Sequence, residues 1–153
     1  MSNKSYRSVF RPDLFAGQVV IVTGGGSGIG RCTAHELASL GATVALVGRK
    51  IEKLTAVQAE IAAAGGKASC HVCDIRDEPG IKGTVAEILA QHGAIHHLVN
   101  NAGGQFPALA RDLTLKGWEA VVKNNLTGGF LVAREWYTKW MEGHGGAIVH
   151  IIA

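Results

Sequence analysis

Short apolar runs alternate along the chain with longer stretches in which apolar residues recur every three or four positions. Val19-Val20-Ile21-Val22, Thr43-Val44-Ala45-Leu46-Val47, Lys67 to Cys73, Ile95 to Val99 and Ala147 to Ile152 are short and mostly β-branched or apolar, and they predict five strands. Helical spacing between them predicts helices over Ile29 to Leu40, Ile51 to Ala64, about Glu78 to Gln91 and roughly Thr114 to Met141. Gly41 and Gly65-Gly66 supply the C-terminal stops of the first two. Because the strands are apolar on both faces and alternate with helices, the pattern predicts an α/β fold with a parallel sheet covered on both sides. Right-handed crossovers then predict a doubly wound arrangement, strand order 3-2-1-4-5, with a ligand crevice between strands 1 and 4.

The turn after strand 1 reads Thr23-Gly24-Gly25-Gly26-Ser27-Gly28-Ile29-Gly30. Glycines let backbone N–H groups approach a phosphate closely, and the helix that follows offers unpaired donors and a partial positive charge. Gly24, Gly28 and Gly30 fit G-x-x-x-G-x-G, and no register fits G-x-G-x-x-G. A P-loop is excluded because Arg31-Cys32 stands where Lys-Ser/Thr is required. Gly24 through Gly30 is therefore the candidate cradle for a dinucleotide pyrophosphate.

Strand 2 ends in Gly48-Arg49-Lys50, where a NAD site places a carboxylate against the ribose hydroxyls. Arg49 can instead fork onto a 2′-phosphate, and Lys50 adds a point charge. Each such contact is worth about 1.5–3 kcal/mol, roughly ten- to hundredfold in affinity, so NADP(H) is the expected cofactor.

Composition changes this picture little. The chain of 153 residues is 47% hydrophobic and 18% charged, a globular composition long enough for one core. A net charge of +3 is too mild to argue for nucleic acid or a membrane surface as partner. No apolar run approaches the ~20 residues of a membrane span, and the first eleven residues do not read as a secretory signal, so a soluble, cytoplasmic protein is expected. Cys32, Cys70 and Cys73 are expected as reduced thiols. Residues 70 and 73 of one strand point to opposite faces, which argues against a shared metal or disulfide. The seven histidines are scattered and suggest no metal site. His96-His97 is expected on the approach to strand 4.

Four separated motifs together resemble the short-chain dehydrogenase/reductase family, a Rossmann-fold family, over essentially the whole chain. They are Thr23 to Gly30, Asp74-Ile75, Asn100-Asn101-Ala102-Gly103, and Asn125-Leu126-Thr127-Gly128. The resemblance implies that Asp74 and Ile75 meet the adenine, that Asn101 to Gly103 lines the ribose with Asn100 counted among the cofactor-binding residues, and that Asn125 holds a water for a proton relay. A structural reading of Asn125 stands beside it: a buried amide bonded to backbone in a long helix, with Asn124 pointing elsewhere. Trp136 and Trp140 share a helix face and suit either packing within the chain or an aromatic strip against a second subunit. The family's habit of pairing this helix implies a homo-oligomer, a homotetramer by analogy.

Gly103-Gly104-Gln105-Phe106, Lys116-Gly117-Trp118, Trp140-Met141 and His144 to Ile152 are further similar to trans-2-enoyl-CoA reductases of the peroxisomal type and the 2,4-dienoyl-CoA reductase branch. Ile152-Ala153 stands where ketoreductases carry a Ser that polarises the substrate carbonyl, a bond that Ala cannot donate. The resemblance thus implies NADPH-dependent reduction of a 2-enoyl-CoA double bond, in fatty acid metabolism, in peroxisomes if the source is eukaryotic. A ketoreductase or alcohol dehydrogenase acting on a carbonyl substrate, and a non-catalytic NADP-binding module, are the alternatives. A methyltransferase is disfavoured by Arg49. The family's Tyr-x-x-x-Lys is not in the sequence, and Tyr137-Thr138-Lys139 has the wrong spacing. With no helical pattern after strand 5, residues 1–153 are expected to be the N-terminal, cofactor-binding part of one domain, with residues 1–16 as an extension.

Overall fold

The computed structural model describes residues 8–152. Part of the expected N-terminal extension and Ala153 lie outside the described residues. Five parallel strands form one sheet in the order 3-2-1-4-5: β1 (Val19–Thr23), β2 (Thr43–Gly48), β3 (Lys67–Val72), β4 (His97–Asn100) and β5 (Ala147–His150). Helices α1 (Gly28–Ser39), α2 (Ile51–Ala63) and α3 (Glu78–His92) make the first three crossovers. A fourth helical region links β4 to β5.

Alternation along β1 and β2 divides the core in two. Val20, Val22, Val44 and Leu46 meet Ala34, Ala38, Leu54, Val57 and Ile61 from α1 and α2. Val19, Ile21, Ala45 and Val47 face Ile81, Val85 and Ile88 of α3, together with Val132 and Trp136. Apolar residues at successive positions are thus the signature of a sheet with two buried faces. The same alternation separates the cysteines: Cys70 packs beside the α1/α2 core and Cys73 lies within the α3 core, and both thiols are free.

The long helical stretch is not uniform. It runs as α4 (Leu115–Val121), a π-helical segment (Val122–Thr127), α5 (Gly128–Trp136), a second π-helical segment (Tyr137–Met141) and a closing turn, Glu142–His144. Trp136 is fully buried and donates its Nε1–H to Ile95 O at 2.9 Å. Trp140 packs against His96 and stacks on His144 at 3.9 Å. Both tryptophans are therefore used within the chain. Leu115 and Trp118 of α4, with Leu126, Phe130 and Tyr137 further on, are exposed large apolar side chains of this region.

Histidines serve as polar struts. His96 Nδ1 accepts from Val19 N–H at 2.9 Å, and His97 Nδ1 accepts from Ala147 N–H at 3.2 Å. Under α3, the Ser69 hydroxyl lies 2.8 Å from His71 Nε2 and 2.9 Å from His92 Nε2. The hydroxyl can donate to one of these rings and accept from the other, an arrangement that two neutral imidazoles satisfy. His71 Nδ1 is 3.2 Å from Glu87 Oε1 without hydrogen-bond alignment. Burial nevertheless pushes the His71 imidazole below its ordinary value against the opposing pull of Glu87. Burial lowers His92 and His97 as well, each helped by the charge of a neighbouring histidine.

Among the described residues, no helix is long and apolar enough to cross a membrane, and no group of three His, Cys, Asp or Glu could hold a metal.

The lowered histidines set a pH dependence. Between the ordinary histidine value of about 6.5 and the lower folded values, the unfolded chain binds protons that the folded one does not, so stability falls as pH falls. Denaturant midpoints measured from pH 7.5 to 5 should decline. In His71→Gln, whose amide can still meet Ser69, the decline should be shallower. A midpoint flat with pH would contradict the neutral-cluster reading.

Candidate functional site

The C-terminal ends of the strands enclose a cleft of about 280 Å³. It gathers Gly24, Gly26 and Ser27 after β1, Val47 to Lys50 at the end of β2, and Lys53 and Leu54 of α2. Cys73 to Ile75 follow β3, Asn101 to Gly103 follow β4, and Asn124 comes from the π-helical segment. Loops following parallel strands meet here because every strand points the same way, and the order reverses between β1 and β4.

The glycine turn is shaped by two requirements. Gly24 and Gly28 have φ of +68° and +53°, which side chains rarely adopt. At Gly30, an added Cβ would lie 2.4 Å from Gly24 O and 2.5 Å from Asn101 Nδ2, so α1 can seat this close to the turn only with glycine there. Gly25 is turned inward, where a Cβ would meet Leu46 Cδ2 at 2.8 Å. Gly25, Gly28 and Gly30 thus shape the turn, and neither they nor the exposed Ile29 line the cleft.

Thr23 ties the turn to the loop after β4. Its hydroxyl, fully buried, accepts from Asn101 N–H and Ala102 N–H, both at 2.9 Å, and donates to Asn100 Oδ1 at 3.4 Å. Asn101 Nδ2 returns a bond to Thr23 O at 2.9 Å. Asn100 is buried and donates to Gly129 O of α5 at 2.6 Å, so it braces the site from below. The sequence marks Thr23 as the first residue of the glycine motif but not as the acceptor for the loop after β4. The signal was its place, a hydroxyl ending an otherwise apolar buried strand.

Electrostatics divides the cleft. Arg49, Lys50 and Lys53 line one side, and among the described residues no ion pair within 4.0 Å takes any of them. The first turns of α1 and α2 open here too, with Ser27 and Lys50 at their N-cap positions and no side chain capping either. Uncapped N–H groups beside unpaired cations make an anion site. On the other side, Arg76 forks onto Asp74 at 2.9 and 2.5 Å. That fork holds the Asp74 carboxyl down to about 2, with the charge of Arg49 adding to it. Asp74 is thus an ionised acceptor at neutral pH.

Asn124 and Asn125 correct one expectation. In the wider turn of the π-helical segment, closed by Gly128 N–H to Lys123 O, successive side chains diverge less than in an α-helix, and both amides face the loop after β4. A Cβ on Gly103 would lie 2.4 Å from Asn125 Oδ1, and one on Gly104 would lie 2.7 Å from Asn124 Nδ2. Asn125 is clamped to backbone: Nδ2 donates to Gly104 O at 2.7 Å and Val121 O at 3.0 Å, while Oδ1 accepts from Gly104 N–H at 3.0 Å. It is exposed rather than buried, and it does not line the cleft.

The cleft combines an anion cradle at helix N-termini, three cations and an apolar floor of Val47, Leu54 and Ile75, which fits a phosphorylated dinucleotide. Lys53 and Asn124 were missed in the sequence because their positions depend on how α2 and the π turn sit against the sheet.

Thr23→Val should leave Asn101 N–H and Ala102 N–H without their acceptor. The expected cost is about 1–3 kcal/mol of folding stability for unpaired buried donors, together with weaker nucleotide binding. Thr23→Ser should retain most of both. Equal stability of the valine variant and the parent in denaturant titrations would remove the knot from this account.

Comparison with known proteins agrees with this architecture. The family described as short chain dehydrogenase matches residues 18–153. Glucose 1-dehydrogenase of Gluconobacter oxydans is 42% identical over 139 residues, 90% of this chain and 52% of that protein. The peroxisomal 2,4-dienoyl-CoA reductase of Mus musculus is 36% identical over 149 residues, 97% of this chain and 51% of that protein. The structure of a citronellol catabolism dehydrogenase (AtuB) of Pseudomonas aeruginosa PAO1 superposes with a TM-score of 0.93 at 59% identity, covering 97% of this chain and 61% of that one. The chain spans about half the length of the curated relatives it matches.

Proposed function

The chain belongs to the short chain dehydrogenase family, and from that premise we propose that the full protein is an NADP(H)-dependent oxidoreductase that reduces the double bond of a 2-enoyl-CoA thioester. The observation that carries the cofactor choice is the group of Arg49, Lys50 and Lys53 around one end of the cleft. No carboxylate stands at the end of β2, so a ribose 2′-phosphate would be attracted where a NAD site would repel it. When bound, a nicotinamide cofactor supplies hydride transfer.

The residues divide the work. Gly24, Gly26 and Ser27, with the open N-terminus of α1, hold the pyrophosphate; Arg49, Lys50 and Lys53 hold the 2′-phosphate. Asp74, Ile75 and Asn101 to Gly103 bound the adenosine. Asn125 gives both Nδ2 protons to carbonyl groups and uses one Oδ1 lone pair on Gly104 N–H. Its second lone pair remains for a relay water. A homo-oligomer is proposed on the exposed apolar side chains of Leu126, Phe130 and Tyr137, since Trp136 and Trp140 are spent inside the chain.

The enoyl-CoA substrate is supported by the Gly103-Gly104-Gln105-Phe106 segment and by the likeness to a 2,4-dienoyl-CoA reductase. A second reading, dehydrogenation of an alkenyl alcohol, is favoured by the 59% identity to a citronellol catabolism dehydrogenase.

Two outcomes test the proposal on the full-length protein. Arg49→Ala should weaken NADPH about ten- to hundredfold and NADH little, as read by binding titration; equal losses would remove the 2′-phosphate assignment. For substrate, kcat/KM with NADPH should be higher for a trans-2-enoyl-CoA than for the matched 3-ketoacyl-CoA. It should also exceed the value for citronellol oxidation with NADP+, since this ratio reports transition-state binding. Citronellol as the better substrate would decide for the second reading.

A further inference from the structure

The side of the cleft away from Arg49, Lys50 and Lys53 contains an amide whose use is unassigned. Asn124 lines the cleft beside Asp74, Ile75 and Asn101 to Gly103, and it is half-buried. Among the described residues, its side chain takes part in none of the hydrogen bonds, in contrast to Asn125, whose Nδ2 makes two and whose Oδ1 makes one. An amide at the wall of a cleft, held by a π-helical turn and unclaimed by its own chain, is placed for a ligand. π-helical turns of this kind recur at functional sites.

Its surroundings indicate what that ligand group is. Phosphates are drawn to the other side, where Arg49, Lys50, Lys53 and the two open helix N-termini lie. The Asn124 side offers one apolar surface, Ile75, fixed against α5 because a Cβ on Gly128 would lie 2.9 Å from Ile75 Cδ1. It also offers an acceptor-only carboxylate, Asp74, already forked by Arg76. An apolar shelf edged by polar groups suits a flat, neutral base. Asp74 cannot donate to a ring nitrogen, whereas a carboxamide presents a donor and an acceptor side by side. That pair complements the amino group and adjacent ring nitrogen of adenine, the pairing by which Asn reads adenine in nucleic acids.

We propose that Asn124 is a base-reading residue of this site, hydrogen-bonded to the adenine edge of the cofactor, while its neighbour Asn125 serves the loop. The assignment rests on the dinucleotide reading given above. Replacing adenine by hypoxanthine exchanges the amino donor for a carbonyl acceptor and leaves the sugar and phosphates unchanged. The base preference therefore isolates Asn124 from the cations.

The experiment measures Kd of the full-length protein for NADPH and for its hypoxanthine analogue by quenching of protein fluorescence, in the parent, Asn124→Leu and Asn124→Thr. The parent should prefer adenine. In Asn124→Leu that preference should shrink by about five- to tenfold, the scale of one lost pair of hydrogen bonds. The NADPH-to-NADH ratio should stay unchanged. Asn124→Thr, smaller and polar, should lose the same base preference, and it decides the matter if the leucine variant does not fold. A variant that folds, binds and keeps the parental adenine preference overturns the assignment alone. Failure of the parent to bind either dinucleotide overturns the cofactor reading and this assignment with it.

Discussion

The site depends on one buried hydroxyl. Thr23 ends β1 at the point where the strand order reverses, and its Oγ accepts two backbone N–H groups from the loop after β4. Without that acceptor, two backbone donors of the loop carrying Asn101 to Gly103 would face the buried end of β1 unpaired. Asn101 closes the knot from the other direction by donating to Thr23 O, and its amide joins Gly24 O in leaving no room for a side chain at Gly30. The glycine turn, the seat of α1 and the β4 loop are thus one mechanical unit, linked through Asn100 to α5.

Around that unit the charges are arranged at a cost to the protein without a ligand. Two helices begin at the cleft without side-chain caps, and Lys50 and Lys53 stand in the first turn of α2, where positive charge is unfavourable. Caps and first-turn carboxylates would add stability here, about 1 kcal/mol for a cap. Side-chain caps are absent at both helices, and α1 has no carboxylate in its first turn whereas α2 has Glu52, so the open donors are left to a bound anion. Asp74 shows the opposite arrangement: its carboxylate is neutralised in place by Arg76 and stays an acceptor.

The helical region from Leu115 to His144 shows how a change of winding redistributes function. Sequence spacing treats Asn124 and Asn125 as diverging by the α-helical step. A π-helical turn brings both to the same loop, so that one amide clamps Gly104 and the other lines the cleft. Gly103 and Gly104 complete the arrangement, because any side chain there would collide with an amide. A family motif names Asn125, yet the neighbour that no motif marks is the one at the cleft wall.

Five strands, their order and the approximate helix limits were legible because they depend on local periodicity and on the handedness of crossovers, both carried by residues near one another in the chain. The glycine cradle and Arg49-Lys50 were legible for the same reason, since a turn and its chemistry occupy consecutive positions. What the tertiary structure decided lies between segments. Thr23 meets Asn101 only because β1 and β4 are neighbours, Lys53 reaches the cleft only because α2 begins beside the β1 turn, and Trp136 meets Ile95 O only because α5 packs with α3 on one face of the sheet. The winding around Asn124 and Asn125 belongs to this class too: helical periodicity predicted one continuous helix, while contacts of Gly128 with Ile75 and of Gly129 with Asn100 depend on residues far away in the chain. Sequence patterns report which faces are apolar and where the backbone can turn; which polar group answers which donor is settled only when distant strands are brought side by side.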